Sequence, residues 1–136
     1  MITYEEYIKG YDFPFKPGDK VTLKGTGETV TIEFVRKSFI GLDVYYSFNG
    51  GTIDGPVGHK SILPMMTNEE RIRFCLENPC TTVKVEHDDA INKYAIVVTS
   101  RDHFQLATFN TEQQALDYIS QNNLIVRTHW LEGANP

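Results

Sequence analysis

Phe13-Pro14-Phe15-Lys16-Pro17-Gly18-Asp19-Lys20-Val21-Thr22-Leu23 opens the stretch that decides the fold, and Lys60-Ser61-Ile62-Leu63-Pro64 closes it. Lys16-Pro17-Gly18-Asp19 carries Pro at the second and Gly at the third turn position, the signature of a type II turn. Val21 and Leu23 then point one way from a strand, and Gly25-Thr26-Gly27 turns the chain. Over Thr29 to Arg36, Val30, Ile32 and Phe34 alternate with Thr31, Glu33 and Val35, which predicts a half-buried strand. After a turn at Ser38 to Gly41, Val44, Tyr46 and Phe48 alternate with Asp43, Tyr45 and Ser47. Asn49-Gly50-Gly51 is a strong hairpin signal. A weaker, glycine-broken strand follows from Ile53 to His59. The pattern predicts a small bent sheet closed on itself, with Val21, Val30, Ile32, Val44, Tyr46 and Phe48 pooled inside.

Outward from that stretch, Thr3-Tyr4-Glu5-Glu6 has the form of a capping box. It opens a short helix with Tyr4, Tyr7 and Ile8 on one face, predicted to cover an end of the sheet and to stop at Gly10. Downstream, Thr67-Asn68-Glu69-Glu70 opens a second helix with Ile72, Cys75 and Leu76 as its buried stripe, halted by Asn78-Pro79. Strands are expected over Thr82 to Glu86, Lys93 to Thr99 and His103 to Phe109. Asn110 or Thr111 caps a helix to about Gln121 whose inner face is Ala115, Leu116 and Ile119. A last strand is expected over Leu124 to Trp130. The fold class is α+β, with domains at 1–66 and 67–136.

Pro17-Gly18-Asp19-Lys20-Val21, the tight-turned strands and Ile62-Leu63-Pro64 resemble the SH3-like barrel superfold in its KOW and Tudor-type versions. That resemblance covers a little over a third of the chain. It implies a binding module, since the superfold carries peptide, methyl-lysine, RNA and protein binders alike. The run from Tyr94 to Asn122 resembles small ββα units of bacterial and phage proteins, among them the arm-type DNA-binding domain of phage integrases. In those the sheet is basic; here Lys93 and Arg101 are the only bases of the hairpin, so no functional residue is carried over.

The chain has 136 residues and a formal charge of −5. Up to Pro64 it holds eight acids and seven bases; the remainder holds ten acids and six bases. Without a basic run, the phosphate contacts that drive non-specific nucleic-acid binding lack a source. The two cysteines, Cys75 and Cys80, are read as reduced thiols, and no apolar signal-peptide core or membrane-length run is present, so a cytoplasmic protein is expected.

No catalytic, cofactor or metal site is expected. Gly55-Pro56-Val57-Gly58-His59-Lys60-Ser61 has His where a phosphate loop needs Gly before Lys, and reads as a turn. His87-Asp88-Asp89 lacks a further ligand at metal-site spacing. Cys75 lies on an apolar helical stripe and reads as core. Ser100-Arg101-Asp102-His103 holds triad letters on adjacent positions, which point apart on an extended strand.

What remains is aromatic. Phe39 sits at a hairpin tip, where burial is hard, and Tyr45 alternates away from the core face. With Arg36 and Lys37 they form the predicted partner-binding set. The leading expectation is a non-enzymatic protein that acts by protein–protein contact, in the style of a phage-encoded inhibitor of a host defence enzyme such as a CRISPR nuclease. A homodimer is allowed. The alternatives are a nucleic-acid module using Lys16, Lys20, Lys24, Arg36 and Lys37, and a nucleotide-sequestering protein with Arg101 or Arg127 as a clamp.

Overall fold

The computed structural model describes residues 1–79 and 81–127, so Cys80 and the expected strand beyond Arg127 lie outside the described residues. The chain divides into two compact units, Met1–Thr67 and Asn68–Pro136. Among the described residues it is a mixed α+β protein with nine strands in two sheets and three helices.

The first unit starts with α1 (Tyr4–Tyr7). Thr3 accepts the Glu6 N–H while Glu6 reaches back to the Thr3 N–H, the expected capping box. Tyr4, Tyr7 and the buried Ile8 pack against the unit's core. At Lys16 to Asp19 the Asp19 N–H donates to the Lys16 carbonyl (3.1 Å) and Gly18 has φ of 94°, as a type II turn requires.

Five strands follow: β1 (Lys20–Leu23), β2 (Thr29–Ser38), β3 (Gly41–Ser47), β4 (Asp54–Gly58) and β5 (Ile62–Pro64). They form an antiparallel sheet in the order β4-β3-β2-β1-β5. Asn49 and Gly50 both adopt positive φ, and Gly51 N–H donates to the Phe48 carbonyl, the I′ geometry that Asn-Gly encodes. Val21, Val30, Ile32 and Val44 are fully buried in one core, with Tyr46 and Phe48 packed on it.

The sheet is not hydrogen-bonded shut. Among the described residues β4 and β5 are its edges, joined by a 3-10 turn at His59–Ser61. Pro56 removes a ladder donor from β4, and β5 is three residues long and ends at Pro64. The alternation in β2 also departs from the expected one. The pairing slips between Ile32 and Phe34, a bulge at Glu33, so Val35 is buried and Phe34 faces outward. The Glu33 carboxylate accepts a 2.5 Å hydrogen bond from the buried Ser47 hydroxyl.

The second unit contains α2 (Asn68–Glu77), β6 (Thr82–Asp88), β7 (Lys93–Val98), β8 (Gln105–Phe109), α3 (Glu112–Gln121) and β9 (Ile125–Val126). The sheet order is β8-β7-β6-β9, with β9 parallel to β6. Thr111 and Gln114 form the capping box of α3. Cys75, Val83, Ile96, Val98, Leu106, Ala115 and Ile119 make the core. Leu116, expected on the inner face, is exposed: it stands about 100° round the helix from Ala115, outside the stripe set by Ala115 and Ile119. On α2, Arg71 rather than Ile72 or Leu76 joins Cys75 as fully buried.

Candidate interaction surface

β2 and β3 are joined by two residues, Phe39 and Ile40, and both are entirely exposed. The frame that carries them is fixed. Ser38 pairs with Gly41 in the register, and the Ser38 hydroxyl donates to the Gly41 carbonyl (3.2 Å). The Leu42 N–H donates to His59 Nδ1 (3.1 Å). A Cβ on Gly41 would stand 2.7 Å from the His59 ring, and φ of 149° at this position is one that side chains disfavour. Tyr11 and Phe13 meet the same ring edge-on, at 5.9 and 6.1 Å between centroids. His59 thus wedges the base of the tip against the core.

Beside the tip lies a recess of about 220 Å³ lined by Ile40, Leu42, Asp43, Val57, His59 and Lys60, among others. The outer face of the hairpin continues from it. There Arg36 stands opposite Asp43, and Phe34 opposite Tyr45, with the two rings stacked at 4.4 Å and 18°.

The four predicted partner-binding residues therefore divide. Arg36 and Tyr45 share the outer face, Tyr45 half-buried against Phe34. Phe39 stands at the tip. Lys37 pairs with the buried Leu42 and lies on the opposite face, its ammonium 4.7 Å from the Tyr7 ring centroid and its N–H on the Tyr7 hydroxyl (3.1 Å). Ile40 and the exposed Phe34 belong to the surface and escaped the sequence reading. A two-residue link offers no place to hide either side chain, so the same reasoning that singles out Phe39 reaches Ile40. The Glu33 bulge that exposes Phe34 has no compositional mark.

The remaining candidates are structural in their geometry. Lys16 contacts Asp19 within its own turn (3.9 Å). Lys60 lies in the 3-10 turn, and no helix of eight residues or more follows Gly55–Ser61 before α2, so no phosphate loop forms. His87 bonds Asp89 (2.6 Å) and Asn92 (3.0 Å) through its two ring nitrogens, and the Asp89 bond first, then Asn92, raises its pKa. Among the described residues no three His, Cys, Asp or Glu side chains gather as a metal site. Cys75 is buried, and burial pushes its thiol pKa up. Ser100 and Asp102 are bonded to each other (2.5 Å) under a bidentate clamp from Arg71 (2.6 and 3.1 Å). Ser100 and Asp102 belong to a loop tied to α2 through Arg71. No described helix is long and apolar enough to cross a membrane.

A second recess, about 360 Å³, lies between α3 and the end of β8, lined by Lys93, Thr108, Phe109, Asp117 and Tyr118 among others. It is an open, mostly polar groove with Tyr118 tilted against Phe109 (5.4 Å). Comparison with protein-family models, with curated proteins and with solved structures returns no match.

Proposed function

We propose that this chain is a non-enzymatic binding protein that acts through protein–protein contact, led by the Phe39–Ile40 tip. The observation that carries this reading is two adjacent large apolar side chains held wholly in solvent on a braced turn. Burying each one recovers about 1.5–3 kcal/mol, which a partner's pocket supplies and this unit's own core does not. The bracing limits the entropy lost on docking. Phe34, Tyr45 and Arg36 extend the contact along the outer face, an arrangement in keeping with aromatic and Arg anchors at interfaces.

We also assign the first unit to the SH3-like barrels. The supporting observation is the order β4-β3-β2-β1-β5, in which the last strand returns beside the first and follows a 3-10 turn. The narrower reading, a phage-encoded inhibitor of a host defence nuclease, is taken from the style of a short acidic chain of two compact modules and from no motif.

The test is a comparative capture from host lysate with wild-type protein and the Phe39→Ser/Ile40→Ser variant, both verified as folded. A stoichiometric protein bound by the wild type and lost from the variant is expected. No such protein, or equal capture by both, overturns the reading. A nuclease assay with and without the chain tests the inhibitor.

A further inference from the structure

The recess beside the tip is small, and its size decides what it can hold. Pockets for free small molecules run about 300–1,000 Å³, and this one is about 220 Å³. It has room for about one large side chain. Ile40, Leu42 and Val57 supply apolar lining, and Asp43 and Lys60 are the charged groups. The tip is therefore both knob and socket: Phe39 and Ile40 project into solvent, and a space for one apolar side chain opens beside them.

The charge about this space differs from that of the chain around it. Residues 34–44 and 56–61 hold three bases, Arg36, Lys37 and Lys60, against one acid, Asp43. The whole chain holds 13 bases and 18 acids, so the rest of it is ten against seventeen. Arg36 stands opposite Asp43, and Asp43 opposite Gly58, in one row across three strands. At about 4.8 Å per strand, Arg36 is about 10 Å from Gly58, and the chain reaches Lys60 two residues later. Arg36 and Lys60 are exposed, and neither makes an ion pair among the described residues. Lys37 is taken up by the Tyr7 ring.

We propose that the partner of the tip is an acidic protein segment. It seats one apolar side chain in the recess and sets carboxylates on Arg36 and Lys60, on either side of Asp43. This inference rests on the protein-contact reading above and adds the chemistry of the partner. At physiological salt a charge is felt over about 8 Å, so a docked segment meets these two bases rather than the net charge of the chain. Complementary charges of this kind set orientation and association rate, while the apolar anchors carry the affinity. A membrane or a nucleic acid fits less well. Anionic bilayers are held by clusters of about four to eight bases, and tight phosphate-backbone binding uses a similar number, against the two free ones here.

The probes are three pools of short synthetic peptides with Leu and Phe fixed at the centre. Their flanking positions are drawn from Asp and Glu, from Ser and Asn, or from Lys and Arg. Amide shifts of the nitrogen-15-labelled whole chain report where each pool binds. The acidic pool is expected to shift residues 38–43 and 57–61 and to bind about fivefold more tightly than the neutral pool. The basic pool is expected to leave those residues unmoved. The acidic advantage should fall about threefold between 50 and 500 mM NaCl. Arg36→Glu/Lys60→Glu is expected to hand the preference to the basic pool. Asp43→Asn removes the one repelling carboxylate and is expected to tighten the acidic pool about twofold. Both variants should leave the rest of the spectrum unchanged.

Acidic and neutral pools that bind the tip equally overturn the inference and leave the protein-contact reading standing. So does an acidic preference that survives the double charge reversal. Shifts of the same residues by phosphatidylserine vesicles or a single-stranded oligonucleotide, with none from the acidic pool, overturn it in favour of that surface. No shift from any pool at millimolar concentration also overturns it, and capture with the Phe39→Ser/Ile40→Ser variant then judges the underlying reading on its own.

Discussion

Removing the Arg71 guanidinium takes away the cation that clamps the Asp102 carboxylate in the second unit. The pair is only 4% and 12% exposed, and Arg71 also reaches Ser100 and lies over the Phe104 ring at 4.7 Å. Burial pulls the Arg71 pKa down, and the Asp102 bond and charge more than restore it, so the side chain stays cationic. Arg71→Met takes the salt-bridge cation from a mostly buried carboxylate, and urea denaturation is expected to show a loss of about 3–5 kcal/mol. Arg71→Met/Asp102→Leu removes both charges and is expected to recover most of that loss. A double variant as unstable as the single one contradicts the account. His87 offers a second residue-scale check. Its folded pKa is raised above the ordinary 6.5, chiefly by Asp89 and then by Asn92. The raised value makes its contribution to stability complete below pH 6.5 and lost as pH climbs through the folded value. An NMR titration of the ring is expected to give a midpoint above 6.5 that falls on Asp89→Asn. Tyr4 titrates higher still, pushed up to about 12 by burial first and by Asp19 and Glu5 next. Its hydroxyl donates to the Phe15 carbonyl (2.9 Å), and Tyr4→Phe is expected to cost about 1 kcal/mol by thermal melt.

At the scale of elements, Gly41 is a position poorly able to change. A methyl there meets the His59 ring at 2.7 Å on a backbone that side chains avoid. Gly41→Ala is expected to destabilise by about 1–3 kcal/mol in chemical denaturation. Adding His59→Ala relieves the clash but not the backbone strain, so the double variant should recover only part. The turns at Gly18 and Asn49-Gly50, the caps at Thr3 and Thr111, and the halt at Pro79 were legible because each rests on a local rule of backbone geometry. The bulges were not. A bulge inserts one residue into the pairing with the neighbouring strand, and nothing in Ile32-Glu33-Phe34 announces it; one slip exchanges Phe34 for Val35 in the core. Arg71 was hidden for a related reason. An arginine on an apolar stripe reads as solvent-facing until the loop bearing Asp102, 31 residues on, is known to close over it.

For the whole molecule, the division into two units with separate cores sets where damage is felt. Ile96 is fully buried in the second core, and Ile96→Ala is expected to cost about 2–5 kcal/mol. Hydrogen exchange should locate that loss in β6, β7, β8 and α3. The surface that distinguishes the first unit was legible in half: the tip followed from Phe39, while Phe34 depended on the unseen bulge. Lys37, grouped with Arg36 by adjacency, stands on the other face because neighbours along a strand always do.

The braced turn carries a consequence for how such a molecule changes over generations. Phe39 and Ile40 support nothing in their own fold, while Ser38, Gly41 and His59 hold the platform without them. Residues 39 and 40 are therefore free to drift with whatever target they meet, like an interchangeable bit in a fixed chuck. A library randomised at those two codons should yield folded variants almost throughout, with preference for new targets selectable and the scaffold untouched.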